Sequence, residues 1–430
     1  MHYFCKQKHR TTSMRYQITA PTCINSTIDL PSSKSISNRA LVINALAGGN
    51  QLPDNLSDCD DTEVIVAALR DMPYTIDIKA AGTAMRFMTA YLAVTDNGEH
   101  VITGTERMRH RPIGILVEAL RRLGADIEYT EQEGYPPLRI RGRRLEGGMV
   151  EMAGNVSSQY ISAMLIAGPA MSKGMDLHLT GNIISRPYID LTLCTMRDFG
   201  AEVEWTGPDT IRVNALPYLP TPYFIESDWS AASYWYEIAS LSGFDTQIRL
   251  NGLADGSRQG DSAARYLMSV LGVRTSFESN EMQRPTTVTL HRHRMRLPRL
   301  EFDFINQPDL TQTFVVTTAL LGIPFHFKGL STLRIKETDR IEALKREMLK
   351  LGYVVQSNAD NDLIWDGTRC QADIHPVIDT YEDHRMALAF APASICFPGL
   401  RIDSPSVVTK SYPQYWEHLR KAGFTIVEEP

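Results

Sequence analysis

Six times along the chain, a run with helical spacing of apolar positions ends at a glycine or turn and gives way to a short alternating strand. The pattern is clearest at 111–129 and 186–205, fainter at 264–275 and 336–355, and returns at 61–78 and 415–427. A glycine after such a helix supplies the left-handed cap that ends it. Strands such as Asp126-Ile-Glu-Tyr129 alternate in polarity, so one face of each is buried. The copies recur at intervals of roughly 50 to 80 residues, too long for a solenoid. Six such units predict an α/β (α+β) protein of two similar lobes with three units each. A boundary is expected near the proline-rich Leu216–Pro222, and the loop-like Asn251–Ser262 opens the fourth unit.

A chain of 430 residues exceeds one ordinary core, which agrees with two lobes. The formal net charge of −6 excludes a general nucleic-acid binder, so any basic surface must be local. The short basic stretch His291–Arg296 therefore reads as a solvated edge. Cys5, Cys23, Cys59, Cys194, Cys370 and Cys396 stand singly without metal spacing, as in the reduced thiols of a cytoplasmic protein. No apolar window reaches membrane-span length, so no membrane is expected as a partner. Residues 1–13 lack the apolar stretch of a secretory signal and read as a dispensable tail before a first strand at Arg15–Thr19.

Cations recur where helices should begin. In Leu30-Pro-Ser-Ser-Lys-Ser-Ile-Ser-Asn-Arg39, Lys34 and Arg39 accompany several hydroxyls at a helix start, where free N–H groups and the helix dipole attract anions. Gly82 and Arg86 open another helix, and Gly82 permits close backbone approach to a ligand. Arg107, Arg109 and Arg111 crowd ahead of a third, an arrangement that opposes the dipole unless an anion is present. Ser157, Ser158, Gln159 and Ser185 offer neutral donors at helix starts, where capping is their ordinary role. Asp309 precedes an apolar helix, as a cap or as a general base among cations. Lys336 and Arg340 are expected on one helical face with Glu337 beside them, and Arg385 and Lys410 lead into the last unit. Seven cations near unit starts, namely Lys34, Arg39, Arg111, Lys336, Arg340, Arg385 and Lys410, predict one cleft for strongly anionic ligands.

These motifs, in this order from about Met14 to the C-terminus, resemble the 5-enolpyruvylshikimate-3-phosphate (EPSP) synthase family. The stretches that carry the resemblance are Leu30–Arg39, Ala81–Arg86, Arg107–Ile113, Asn155–Gln159, Ser185–Asp190, Lys336–Arg340, Asp383–Met386 and Lys410. The resemblance implies two inside-out α/β barrels, each of three βαβαββ units. It divides the chain into residues 1–32 with 226–430 as one lobe and 33–225 as the other, with crossings near Ser32 and Glu226. The cleft between them would close as a hinge.

The implied activity is transfer of the enolpyruvyl group of phosphoenolpyruvate to the 5-hydroxyl of 3-phosphoshikimate, in aromatic amino acid biosynthesis. By the same resemblance, Ser35 and Arg39 hold the shikimate carboxylate, and Ser157, Ser158 and Ser185 the 3-phosphate. Gln159 and Tyr188 contact the substrates. Lys34, Gly82, Arg111, Arg340, Arg385 and Lys410 bind phosphoenolpyruvate, while Asp309 and Lys336 hold ring hydroxyls. Asp309 is the implied base, and Glu337 or Lys34 the acid that protonates C3. No cofactor or metal is implied, nor any partner besides the two substrates, and the enzyme is expected to act as a monomer. Ala80 and Phe87 depart from the usual Asn and Pro, which implies weaker phosphoenolpyruvate binding and an altered glyphosate response. Two rivals are the sister family acting on UDP-N-acetylglucosamine, which commonly carries a cysteine near the Arg111 position, and a non-catalytic anion-binding homologue. No cysteine lies between Cys59 and Cys194.

Overall fold

The computed structural model describes residues 14–279, 281–295 and 297–430, so the reading of residues 1–13 as a tail lies outside them. Buried apolar side chains form two separate cores. One gathers Ile36 through Ile225; the other joins Ile18 to Leu30 with Trp229 to Phe424. The first, built from one stretch of chain, belongs to what we call the continuous lobe, and the second to the discontinuous lobe.

In the continuous lobe the helices are α1 (Lys34–Leu46), α2 (Asp60–Asp71), α3 (Gly82–Val94), the one-turn α4 (Glu106–Arg109), α5 (Gly114–Arg122), α6 (Ser158–Ala167) and α7 (Arg186–Asp198). The discontinuous lobe holds α8 (Trp229–Leu241), α9 (Ala264–Val270), α10 (Thr311–Leu320), α11 (Arg340–Lys350), α12 (His384–Phe390) and α13 (Tyr415–Lys421). The helical parts of the six sequence repeats are α2, α5, α7, α9, α11 and α13. Their partners α1, α3, α6, α8, α10 and α12 are buried on nearly every face. Helices inside and sheets outside make this an inside-out barrel.

Every sheet repeats one strand order. Thr75–Asp77, Glu99–Thr103, Leu138–Arg141 and Asp126–Tyr129 lie side by side, so the fourth strand of the unit sits between the second and third. The first two run parallel, as strands joined through a helix must, and the others antiparallel. Two sheets of the discontinuous lobe borrow N-terminal strands. Asn25–Asp29 pairs parallel with Gln247–Ala254, and Arg15–Thr19 fits between Leu400–Asp403 and Thr425–Glu429. Five of the six units thus carry a four-stranded sheet among the described residues. The sixth keeps α1 and α2 but only an isolated bridge, Asp54 to Phe224. Pro53, Pro217, Pro220 and Pro222 lie in the stretches that would supply its strands, and proline cannot donate to a ladder.

The chain crosses between lobes at two adjacent points. Ser33 N donates to Glu226 O at 2.8 Å, and Asp228 N donates to Pro31 O at 2.9 Å. The Asp228 carboxylate then caps both lobes, accepting from Ala231 N in α8 at 2.9 Å and from Lys34 N in α1 at 3.2 Å.

Candidate active site

Between the lobes lies a cleft whose walls are largely the first residues of helices. Its lining includes Lys34 and Ser35 of α1, Gly82, Thr83 and Arg86 of α3, Ser158 and Gln159 of α6, Tyr188 of α7, Arg340 of α11 and Arg385 of α12. Free N–H groups at these ends add a positive field to the charged side chains. Arg39, Arg111, Ser157, Ser185, Asp309, Lys336 and Glu337 complete the expected set. Lys410 stands just behind, its Nζ 2.9 Å from Glu337 Oε1. All sixteen residues expected from the sequence therefore gather at one place. Neither Ala80 nor Phe87 puts a side chain into the cleft lining; Phe87 is buried beneath the Arg39 guanidinium.

Two carboxylates bind the cations together. Asp309 lies 2.9 Å from Arg385, 3.2 Å from Arg340 and 3.7 Å from Lys336. Glu337 lies 2.9 Å from both Arg340 and Lys410 and 4.0 Å from Arg111. Burial raises the Asp309 carboxyl, but Arg385, Lys336 and Arg340 outweigh it and hold it well below the usual range. Glu337 is likewise raised by burial, and Lys410, Arg340 and Arg111 depress it further than burial raises it. Asp383 fixes Arg340 from behind, accepting from Nε at 2.7 Å and from Nη2 at 3.2 Å, and caps α12 at Arg385 N.

Local sequence explains several placements. Gly82 leaves room for Arg111 against the start of α3, since a Cβ there would meet Arg111 Nη1 at 2.7 Å and displace the guanidinium. Arg86 folds back onto Gly82 O, Pro112 O and the Tyr160 hydroxyl, which places an eighth cation beside Arg111. Ser185 adopts a left-handed backbone (φ 53°) and its N–H crosses to Ile305 O of the other lobe at 2.9 Å. Arg39 is 3% exposed and donates to Thr192, Ser35 O, Ser162 and Tyr188 O; burial lowers it to about 10.

Some expectations need correction. Lys336 and Glu337 are not on a helix with Arg340, because Asp339 caps α11 and the chain before it is turn-like. They meet Arg340 through Asp309 and through a direct ion pair instead. Asp309 is not a helix cap; it sits in a 3-10 turn at Pro308–Leu310 and faces the cations. Of the three arginines before α5, only Arg111 lines the cleft. Arg107 pairs with Glu382 across the cleft, and Arg109 with Glu131.

The sequence reading passed over Asp61, Asp228, Ser230, Tyr234 and His384, which also line the cleft. Asp61 lies 3.4 Å from Lys34 Nζ. Burial lowers that amine, but Asp61, together with Cys59 and Glu337, outweighs it and keeps Lys34 raised. An acidic residue in the first turn of α2 looks like ordinary dipole pairing, so it gave no signal of its own.

Comparisons with known proteins bear on the family and the fold. The profile of the family described as EPSP synthase (3-phosphoshikimate 1-carboxyvinyltransferase) matches residues 18–77 and 72–419. The chain is 57% identical over 413 residues to a 3-phosphoshikimate 1-carboxyvinyltransferase of Bacteroides fragilis, covering 96% of this chain and 99% of that one. It is 34% identical to the enzyme so named from Aliivibrio fischeri, covering 93% and 97%. In fold it is similar to an EPSP synthase from Acinetobacter baumannii, with a TM-score of 0.78, 21% identity and coverage of 97% and 100%. The enolpyruvyl transferase NikO from Streptomyces tendae shares the fold at a TM-score of 0.74, with 17% identity and coverage of 97% and 100%. The full-length match to the profile and to these relatives places the chain in the EPSP synthase (3-phosphoshikimate 1-carboxyvinyltransferase) family.

Proposed function

We propose that this cleft holds 3-phosphoshikimate and phosphoenolpyruvate together and transfers the enolpyruvyl group to the 5-hydroxyl with release of phosphate. The observation that carries the reading is the pair Asp309 and Glu337, each ringed by cations in a buried cleft. A carboxylate weakens an anion site unless it moves protons. Here the two occupy places that substrate anions would take.

Phosphoenolpyruvate, held by Lys34, Gly82, Gln159, Arg111, Arg340, Arg385 and Lys410, draws those cations away from Asp309 and Glu337. Both carboxyls then rise from their depressed state, as a proton acceptor and donor require. The ring hydroxyls lie against Asp309 and Lys336, the carboxylate against Ser35 and Arg39, and the phosphate against Ser157, Ser158 and Ser185. Gln159 and Tyr188 pack on the substrates. Asp309 takes the 5-hydroxyl proton as the oxygen bonds to C2, and Glu337 or Lys34 delivers a proton to C3, giving a tetrahedral intermediate. Loss of a C3 proton and breakage of the C2–O–phosphate bond release inorganic phosphate and leave the enol ether. Positioning and charge stabilisation supply the acceleration.

Residues 33–225 act as one closing body and 1–32 with 226–430 as the other. We take the enzyme to act as a monomer. No described helix is long and apolar enough to cross a membrane, and we place the enzyme in the cytoplasm. The test is phosphate release from 3-phosphoshikimate plus phosphoenolpyruvate. UDP-N-acetylglucosamine as the preferred acceptor, or no turnover at all, would decide for one of the rivals. Asp309→Ala is expected to bind both ligands, seen by calorimetry, while kcat falls by about 10²–10⁴.

A further inference from the structure

The turn Gln259-Gly260-Asp261 touches both chain crossings and the start of α7 in the other lobe. Gln259 is buried, and its Oε1 accepts from Ser33 Oγ at 3.0 Å and from Trp229 N at 3.1 Å. Its Nε2 donates to Ser227 O at 2.8 Å. One amide side chain therefore fastens both crossings. Gly260 comes next, and a Cβ there would lie 2.6 Å from Pro187 Cβ, at the start of α7 in the other lobe. The Ser185 N–H donating to Ile305 O is a second tie between α7 and the discontinuous lobe.

Asp261 completes the turn and is 3% exposed. The Tyr188 hydroxyl donates to its Oδ1 at 2.6 Å, and the Ser230 hydroxyl bonds its Oδ2. Tyr188 belongs to the continuous lobe, whereas Ser230 and Asp261 belong to the discontinuous one. A buried acid here is unfavourable: burial and the nearby Asp309 raise its carboxyl to about 6, against the pull of Arg385. An amide would satisfy the tyrosine at less cost. What a carboxylate adds is a short, charge-assisted bond of fixed direction.

We propose that Gln259-Gly260-Asp261 is the pivot on which the lobes close, and that Asp261 is a positioning residue that aims the Tyr188 ring at the shikimate substrate. The inference rests on the assignment of Tyr188 to that substrate. Holding the hydroxyl fixes the ring and, with it, the first turn of α7 that presents Ser185. The same bond joins a residue of each lobe, so the arrangement of the lobes and the shape of the shikimate subsite are set together.

A double-mutant cycle tests this. The wild-type enzyme is first assayed for phosphate release, and inactivity there would strike at the reaction, not at the pivot. Tyr188→Phe and Asp261→Ala are each expected to raise KM for 3-phosphoshikimate about tenfold, the loss of one charge-assisted hydrogen bond, with a smaller change in kcat. The double variant should be no worse than Tyr188→Phe alone. Asp261→Asn, whose amide oxygen still accepts but without the charge, should recover about half of the loss in free-energy terms. Effects that multiply, or an Asp261→Ala enzyme with unchanged KM, overturn the proposal. Gly260→Ala keeps every hydrogen bond of the turn but drives a methyl into Pro187, and is expected to raise the same KM. A folded Gly260→Ala protein with wild-type constants also overturns the pivot, even if Asp261→Ala cannot be purified.

Discussion

His384 lies between Asp383 and Arg385 at the start of α12, and is 2% exposed. Burial, reinforced by Lys34 and Arg385, holds it well below its ordinary 6.5. The unfolded chain takes up a proton that the folded chain refuses, so this stabilisation is complete above pH 6.5 and declines as the pH falls. Relative to His384→Gln, the wild-type protein is expected to lose about 1.4 kcal/mol per pH unit below 6.5 in urea denaturation. Parallel pH profiles for the two proteins would contradict it. Individual residues were legible where a cation sat in an odd place, as at Arg111, where the dipole argues against it. Asp61 and Asp228 were hidden for the opposite reason, because acids at helix starts need no explanation. Lys336 lines the cleft from a turn and not from the expected helix, since Asp339 caps α11 three residues further on.

At the scale of elements, the visible repeat was half of the architecture. Helices such as α5 and α11 have one wet face, so their apolar residues return with helical spacing. Their buried partners show no such face. In α10 every residue from Thr311 to Ala319 is buried, and Ser233 of α8 meets Thr313 at 3.2 Å between hydroxyls. Small polar residues let these central helices approach closely, and they erase the periodicity that would reveal them. The sixth unit was counted from α2 and the strand that follows it, but that strand, Thr75–Asp77, pairs in the next unit's sheet, and prolines occupy the stretches that would supply the sixth unit's own. The shared cap at Asp228 belongs to this scale. Asp228→Ala leaves the first turns of α1 and α8 both without that acceptor, at a cost of roughly 2 kcal/mol, about twice a single cap. Asp228→Asn should keep most of that stability, and equal denaturation midpoints for all three proteins would contradict the double cap.

For the whole molecule, the charges are divided unevenly. A chain of net charge −6 gathers eight cations at one cleft, so its field repels anions in general and draws them at one point. The ratio kcat/KM is expected to fall about tenfold or more as ionic strength rises across the physiological range, and kcat much less. A ratio indifferent to salt would mean that the cations act only after contact. Two lobes and their cleft were readable because the six repeats and the cations recur in register. The permuted strand order was not, since nothing in Arg15-Tyr-Gln-Ile-Thr19 announces a partner at Leu400–Asp403.

That borrowed strand sets the order of events on the ribosome. Arg15–Thr19 leaves the exit tunnel early, but its neighbours on both sides are among the last residues synthesised. At ordinary elongation rates it waits roughly 20–80 s with both edges bare. The stretch from Ile36 to Ile225 meanwhile has all its own core partners and can settle during translation. A nascent chain arrested near its three-hundredth codon would therefore carry one finished half and one exposed, chaperone-seeking ribbon.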